Sequence, residues 1–278
     1  MNFVKILFFS LFITFAFADD VKETDDAFNP SELTANVANE YAIYSMIASN
    51  VYHKVDRVRF PVEKLGWIQV DIEGKPTSNP TVEINESGLA YDIFENQNSN
   101  EVIFAFRGTD DKKDYTKANL AISPFNIQYK EATEQFKKYL ETHKDKNITL
   151  TGHSLGGALA LSMSVNYGIN AIVFNSSPRV SEEVDDMYSP ATRVMVYENG
   201  EILAALRKIW KKKFLTIVPP KNTYKASFDF GEDNKSTLSK LAIKHRADYL
   251  ALGLLTLGAT VDTNLANVLD TLPKSLSN

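Results

Sequence analysis

Six residues, Gly152-His153-Ser154-Leu155-Gly156-Gly157, constrain the fold of this chain more than any other stretch. Ile148–Thr151 ahead of them reads as a short strand. Leu155–Tyr167 behind them reads as a helix, with Gly168 as its C-terminal stop. A serine in a G-x-S-x-G frame between strand and helix sits on a sharp, strained turn that lifts its hydroxyl above the sheet. Small residues at 152 and 156 let neighbouring backbone approach that turn. The helix N-terminus behind it offers free N–H groups and a positive dipole end to a developing negative charge. Ser154 is therefore the candidate nucleophile, and the N–H of Leu155, the residue after it, a candidate oxyanion donor.

The flanking sequence supplies the layers such a turn needs. Leu33–Val51 places Ala35, Ala38, Ala42 and Met46 at helical spacing, and Tyr129–His143 does the same with Ala132, Phe136, Tyr139 and Leu140. Leu89–Phe94 and Val102–Phe106 read as strands around the turn-rich stretch Asn96–Asn100, with further strands at Ala171–Asn175 and Val194–Tyr197. His245 to about Val261 reads as a helix, almost wholly apolar in its second half. Its apolar run from Tyr249 is too short to span a bilayer, so a buried helix is expected. Alternating strands and helices predict an α/β fold: one domain over residues 19–262, a mostly parallel central sheet flanked by helices, and a C-terminal tail over 263–278.

Composition removes several function classes. The net charge of −5, from 30 basic and 35 acidic side chains, does not suit a nucleic-acid binder. The absence of cysteine excludes a disulfide scaffold, a thiolate metal site and a cysteine nucleophile. At the N-terminus, Lys5 precedes the uncharged run Ile6–Phe17 and the small-residue site Ala16-Phe17-Ala18. This is the pattern of a cleavable signal peptide over residues 1–18, and it predicts a secreted or periplasmic protein. Four sequons, at Asn85, Asn147, Asn175 and Asn234, matter only in a host that glycosylates.

The elbow, together with Phe106-Arg107-Gly108-Thr109-Asp110 about 45 residues earlier and Ser177-Pro178-Arg179-Val180 after a later strand, resembles the class 3 (fungal-type) lipases of the α/β-hydrolase fold. The resemblance covers roughly Leu33 to Leu255. It implies hydrolysis of lipid-like acyl esters through a Ser/acid/His triad, with no cofactor. By carry-over, Thr109 of the Arg-Gly-Thr turn becomes the second oxyanion donor, and His153 a structural histidine that points away on the turn. Of the four histidines, His53 and His143 precede the elbow, whereas His245 alone follows it in the order Ser…acid…His. It is the expected base.

The acid is expected just past Val194–Tyr197, where the family pattern has an aspartate followed by apolar residues and proline. This chain has Glu198-Asn199-Gly200-Glu201-Ile202-Leu203 instead. Aligning Ile202-Leu203 favours Glu201, with Glu198 as the alternative and Asp185, Asp186 and Asp229 behind both. Asp110, Asp111 and Asp114 lack the ligand pattern of a metal site and read as turn residues, so no metal is expected.

Two segments are placed to meet a lipid. Asn119–Phe125 falls where the family carries a lid. Arg207, Lys208, Trp210, Lys211, Lys212 and Lys213 form a basic run with interleaved apolar residues that suits an anionic membrane surface. Glycerolipid hydrolysis is the leading expectation. A phospholipase A1 or lysophospholipase is the near alternative, and an inactive hydrolase-fold binding protein is the competitor from another class.

Overall fold

The computed structural model describes residues 31–54, 56–78, 87–108, 122–180, 191–209, 223–227 and 237–273. Residues 1–18, read as a signal peptide, lie outside them. So do Thr109, Asp110, Asp111, Asp114, Asp185, Asp186 and Asp229, together with Asn119–Ala121 and Trp210–Lys213.

Eight strands form one sheet in the order β1-β8-β7-β6-β5-β4-β3-β2. In chain order these are β1 Ser31–Glu32, β2 Trp67–Val70, β3 Tyr91–Asn96, β4 Glu101–Phe106, β5 Asn147–His153, β6 Asn170–Phe174, β7 Arg193–Glu198 and β8 Thr223–Ala226. Strands from β4 through β8, and β1 beyond, pair in parallel; β2, β3 and β4 pair antiparallel. The helices are α1 Ala35–Asn50, α2 Ile122–Thr142, α3 Leu155–Tyr167, α4 Ala204–Ile209, α5 Thr237–Lys244, α6 Ala247–Gly258 and α7 Thr263–Leu269.

The period-2 alternation of β4 divides the core. Val102, Phe104 and Phe106 point into a cluster with Phe136 and Tyr139 of α2 and Leu159 and Met163 of α3. Ile103 and Ala105 point into the opposite cluster, with Met46 and Ile47 of α1 and Ala251 and Leu255 of α6. Strands covered on both faces read as continuous apolar runs, as β4 does. The architecture is the α/β-hydrolase fold, with its sheet sandwiched between helices.

Three expectations need correction. The tail drawn after Asp262 is not a tail as far as it is described: Asp262 caps α7, and Leu265, Val268 and Leu272 complete the α1–α6 side of the core. Helix α2 starts at Ile122, so Ile122–Phe125 of the lid candidate belong to its first turn. His245 does not open the last long helix but occupies the link between α5 and α6, fixed by its N–H to Leu241 O. The apolar run beyond it is buried over Leu250–Leu255, and among the described residues no helix is long and apolar enough to cross a membrane.

Candidate active site

Ser154 stands between β5 and α3 with φ 58° and ψ −124°, a conformation that L-residues rarely adopt. Close packing holds it there. A Cβ on Gly156 would lie 2.1 Å from Phe106 O, and one on Gly152 would lie 2.5 Å from the backbone of Gly156. Ser154 N donates to Phe174 O at 3.1 Å, and Ser177 N donates to Ser154 O at 3.0 Å, so the end of β6 and the loop after it clamp the turn. The side chain makes no capping bond to α3 and is left for other partners.

Its partner is His245. The Ser154 Oγ lies 2.9 Å from His245 Nε2, and His245 Nδ1 lies 2.5 Å from Glu201 Oε2. All three residues are buried. In the tautomer with the proton on Nδ1, the imidazole donates to the carboxylate and accepts from the serine hydroxyl. Burial holds the His245 imidazole far below its ordinary value, at about 3, and the Arg57 cation adds to this. Burial also pushes the Glu201 carboxyl up, opposed by the Arg207 guanidinium. The histidine is thus neutral at physiological pH, the form that can accept a proton from serine.

The sequence left the acid open, and the geometry separates the two glutamates. Glu201 meets His245, whereas Glu198 is buried at the end of β7, its N–H bonded to Asn175 Oδ1 at 2.8 Å. Leu155 opens α3, so its N–H belongs to a first turn that has no intrahelical acceptor. Thr109 lies outside the described residues, but Gly108 beside it is in the site. A Cβ there would come within 3.2 Å of Ser154 Cβ and 2.6 Å of His153 O.

The remaining histidines take other positions. His53 pairs with Asp92 of β3 at 2.5 Å, and His143 stacks on Tyr139. His153 does not point away. Its ring lies 4.7 Å from that of His245, centroid to centroid, and the Tyr52 hydroxyl holds its Nδ1 at 2.9 Å.

Arg207 overturns part of the membrane expectation. It is 5% exposed, with Nη2 donating to Glu201 Oε1 and Nη1 to Ser176 O at 3.0 Å. A guanidinium committed to two internal acceptors does not face a lipid surface. Lys208, next to it, is exposed. Sequence reasoning also missed Asn175, buried at φ 41°, which accepts from Glu198 N and donates to Lys244 O at 3.2 Å. It ties the end of β7 to the residue before His245, and that burial removes it as a glycosylation acceptor in the folded chain.

A protein-family model, the Tle-like phospholipase domain, matches residues 43–206, more than half of the chain. The chain belongs to this family. Solved lipases of similar outline include that of Rhizopus microsporus var. chinensis (16% identity, 66% of this chain and 75% of that one, TM-score 0.46). The Yarrowia lipolytica Lip2 lipase matches at 14% identity, over 65% and 77% of the two chains, with TM-score 0.42. The native propeptide complex of Rhizomucor miehei lipase matches at 15%, over 68% and 71%, with TM-score 0.44. The family assignment rests on the domain match. As a Tle-like, lipase-type α/β-hydrolase, the chain is an ester hydrolase.

Proposed function

We propose that this protein hydrolyses acyl esters of glycerolipids by serine catalysis, and that phospholipids are its substrates. The observation that carries the reading is the continuous chain Ser154 Oγ, His245 Nε2, His245 Nδ1, Glu201 Oε2, at 2.9 and 2.5 Å, in a buried site. Ser154 Oγ attacks the ester carbonyl carbon as its proton passes to His245. The tetrahedral oxyanion is held by Leu155 N–H and a donor from the Gly108–Thr109 turn. The carbonyl–alkoxide bond then breaks, and His245 returns the proton to the leaving oxygen. Water, deprotonated by the same histidine, then bonds to the acyl carbon, the bond from that carbon to Ser154 Oγ breaks as His245 returns the proton to Oγ, and the fatty acid leaves. Glu201 orients the imidazole and stabilises its charged form. The family match to a phospholipase domain favours phospholipid over triacylglycerol. The pattern over residues 1–18 supports an exported enzyme that begins at Asp19, which N-terminal sequencing of the exported protein tests.

The deciding experiment compares the chain with Ser154→Ala on a short-chain p-nitrophenyl ester, phospholipid vesicles and a triacylglycerol emulsion. The alanine variant is expected to lose on the order of 10⁶ in kcat. Equal rates for the two proteins would overturn the serine reading. Serine-dependent cleavage of the emulsion but not the vesicles would overturn the phospholipid assignment.

A further inference from the structure

Glu201 and Arg207 are two ends of one local structure. Glu201 lies just ahead of α4, its carbonyl accepting from Ala204 N at 3.0 Å and its Oε2 accepting from Leu203 N at 2.9 Å. Arg207 comes late in that short helix, its N–H bonded to Leu203 O at 3.0 Å, and its side chain turns back to the carboxylate it follows. Oε2 of Glu201 is thus taken by His245 and Leu203, while Oε1 is taken by Arg207. The second arm of the guanidinium reaches Ser176 O, and the next residue, Ser177, donates to the carbonyl of Ser154. One cation therefore joins the loop that carries the acid to the loop that clamps the nucleophile. It also lies over the Tyr197 ring, 5.1 Å from its centroid.

A buried ion pair is a weak source of net stability, because desolvation cancels most of the attraction, but it fixes geometry. Lysine could supply the charge but not the two-armed fork. We propose that Arg207 is a positioning residue of the catalytic group: it fixes the rotamer of Glu201 that faces His245 and balances that carboxylate inside a water-poor site. This rests on the Ser154–His245–Glu201 reading above. Among the described residues, the charged and titratable groups around the pair besides Arg207 include His153 on β5, Arg57 on the loop after α1, Tyr197 under the guanidinium, and Glu198, whose carbonyl accepts from Glu201 N at 3.4 Å.

The test measures p-nitrophenyl ester hydrolysis from pH 3 to 9, in brief jumps from neutral stock so that the acid limb set by the buried imidazole falls inside the range, with the full chain, Arg207→Met, Arg207→Lys, Glu201→Gln and the Glu201→Gln/Arg207→Met double variant. Thermal melting of each checks folding. Arg207→Met is expected to lose about 10- to 100-fold in kcat with KM little changed, the usual consequence of removing a group that orients a functional side chain. Its acid limb moves to higher pH, because the lost cation had opposed proton uptake by the His245–Glu201 pair. Arg207→Lys keeps the charge, so its limb stays at the wild-type position while kcat falls less. In the Glu201→Gln background, Arg207→Met causes no further loss, since Arg207 acts through the acid.

An unmoved limb in Arg207→Met, or losses that multiply in the double variant, would overturn the proposal. Should Arg207→Met not fold, Arg207→Lys and the double variant decide. The double variant removes both partners of the buried Glu201–Arg207 pair, so neither charge is left without the other and the variant is expected to fold. A limb that moves in Arg207→Lys overturns the proposal too. Failure of the underlying reading is seen separately, as an undiminished rate in Ser154→Ala.

Discussion

The two halves of the candidate site are built differently. The nucleophile side is one unbroken stretch, β5 through the first turn of α3, and Ser154 is held by glycines two residues to either side of it. The acid and base come from segments 44 residues apart, one after β7 and one between α5 and α6, and meet only through tertiary contacts. A strained backbone turn needs particular residues at fixed offsets, so it leaves a readable signature. A meeting of two side chains leaves none, because what aligns them comes from distant parts of the chain: Asn175 lies under Lys244, and Ser176 anchors the Arg207 that holds Glu201.

The sharpest way to break this comparison is at the acid. Glu201→Gln is expected to lower kcat about 10⁴-fold, the scale seen when a triad carboxylate becomes an amide, and to lower the melting temperature as well, because it leaves the buried Arg207 cation without its carboxylate. Glu198→Gln leaves the His245–Glu201 bond in place, and its kcat loss is expected to stay below about tenfold. Steady-state kinetics on both variants checks this. A larger loss at Glu198 would show that the acid arm is arranged otherwise.

A second comparison puts the same change into both halves. At Gly156 an added Cβ would strike the Phe106 carbonyl, and nothing in that close approach of helix to strand can give way. Gly156→Ala is expected to cost about 3 kcal/mol of stability or more and to remove activity with it. Gly200, in the acid loop, has φ 74° but nothing within 4 Å, so Gly200→Ala meets only the left-handed backbone penalty of about 1 kcal/mol. Denaturant midpoints measure the difference. Equal costs would mean that the elbow is not under the steric constraint described.

What the sequence disclosed follows the same division. A strand buried on both faces, β4, declares itself as an apolar run, β5 is marked by the elbow it leads into, and α3 is bounded correctly by the elbow and by Gly168, whose φ is 66°. Edge elements do not declare themselves. β1 has two residues and exists through its pairing with β8, a partner that nothing local identifies. The segment holding Leu265, Val268 and Leu272 reads as a tail because a short stretch of apolar residues broken by polar ones marks a helix only once the α1–α6 surface is there to receive it. Arg207 sat in a basic run whose other members gave no reason to single it out, so its burial was invisible until Glu201 was in place.

Acid titration reports on both halves at once. His153 belongs to the elbow and His245 to the other arm, and burial holds each near pKa 3 in the folded protein. Unfolded, each titrates near 6.5. Between those values the unfolded chain binds more protons than the folded one, so stability falls as pH drops through 6.5 and is insensitive to these groups above about 7.5. At pH 5.5 each histidine is expected to have withdrawn about 1.4 kcal/mol. Melting Ser154→Ala protein from pH 5.5 to 8 measures the pair without catalysis intervening. Adding His153→Asn should remove one half of the acid sensitivity and His245→Asn the other. A melting temperature flat across that range would mean that neither ring is held neutral. Loss confined to one substitution would assign the buried imidazole to that half of the site alone.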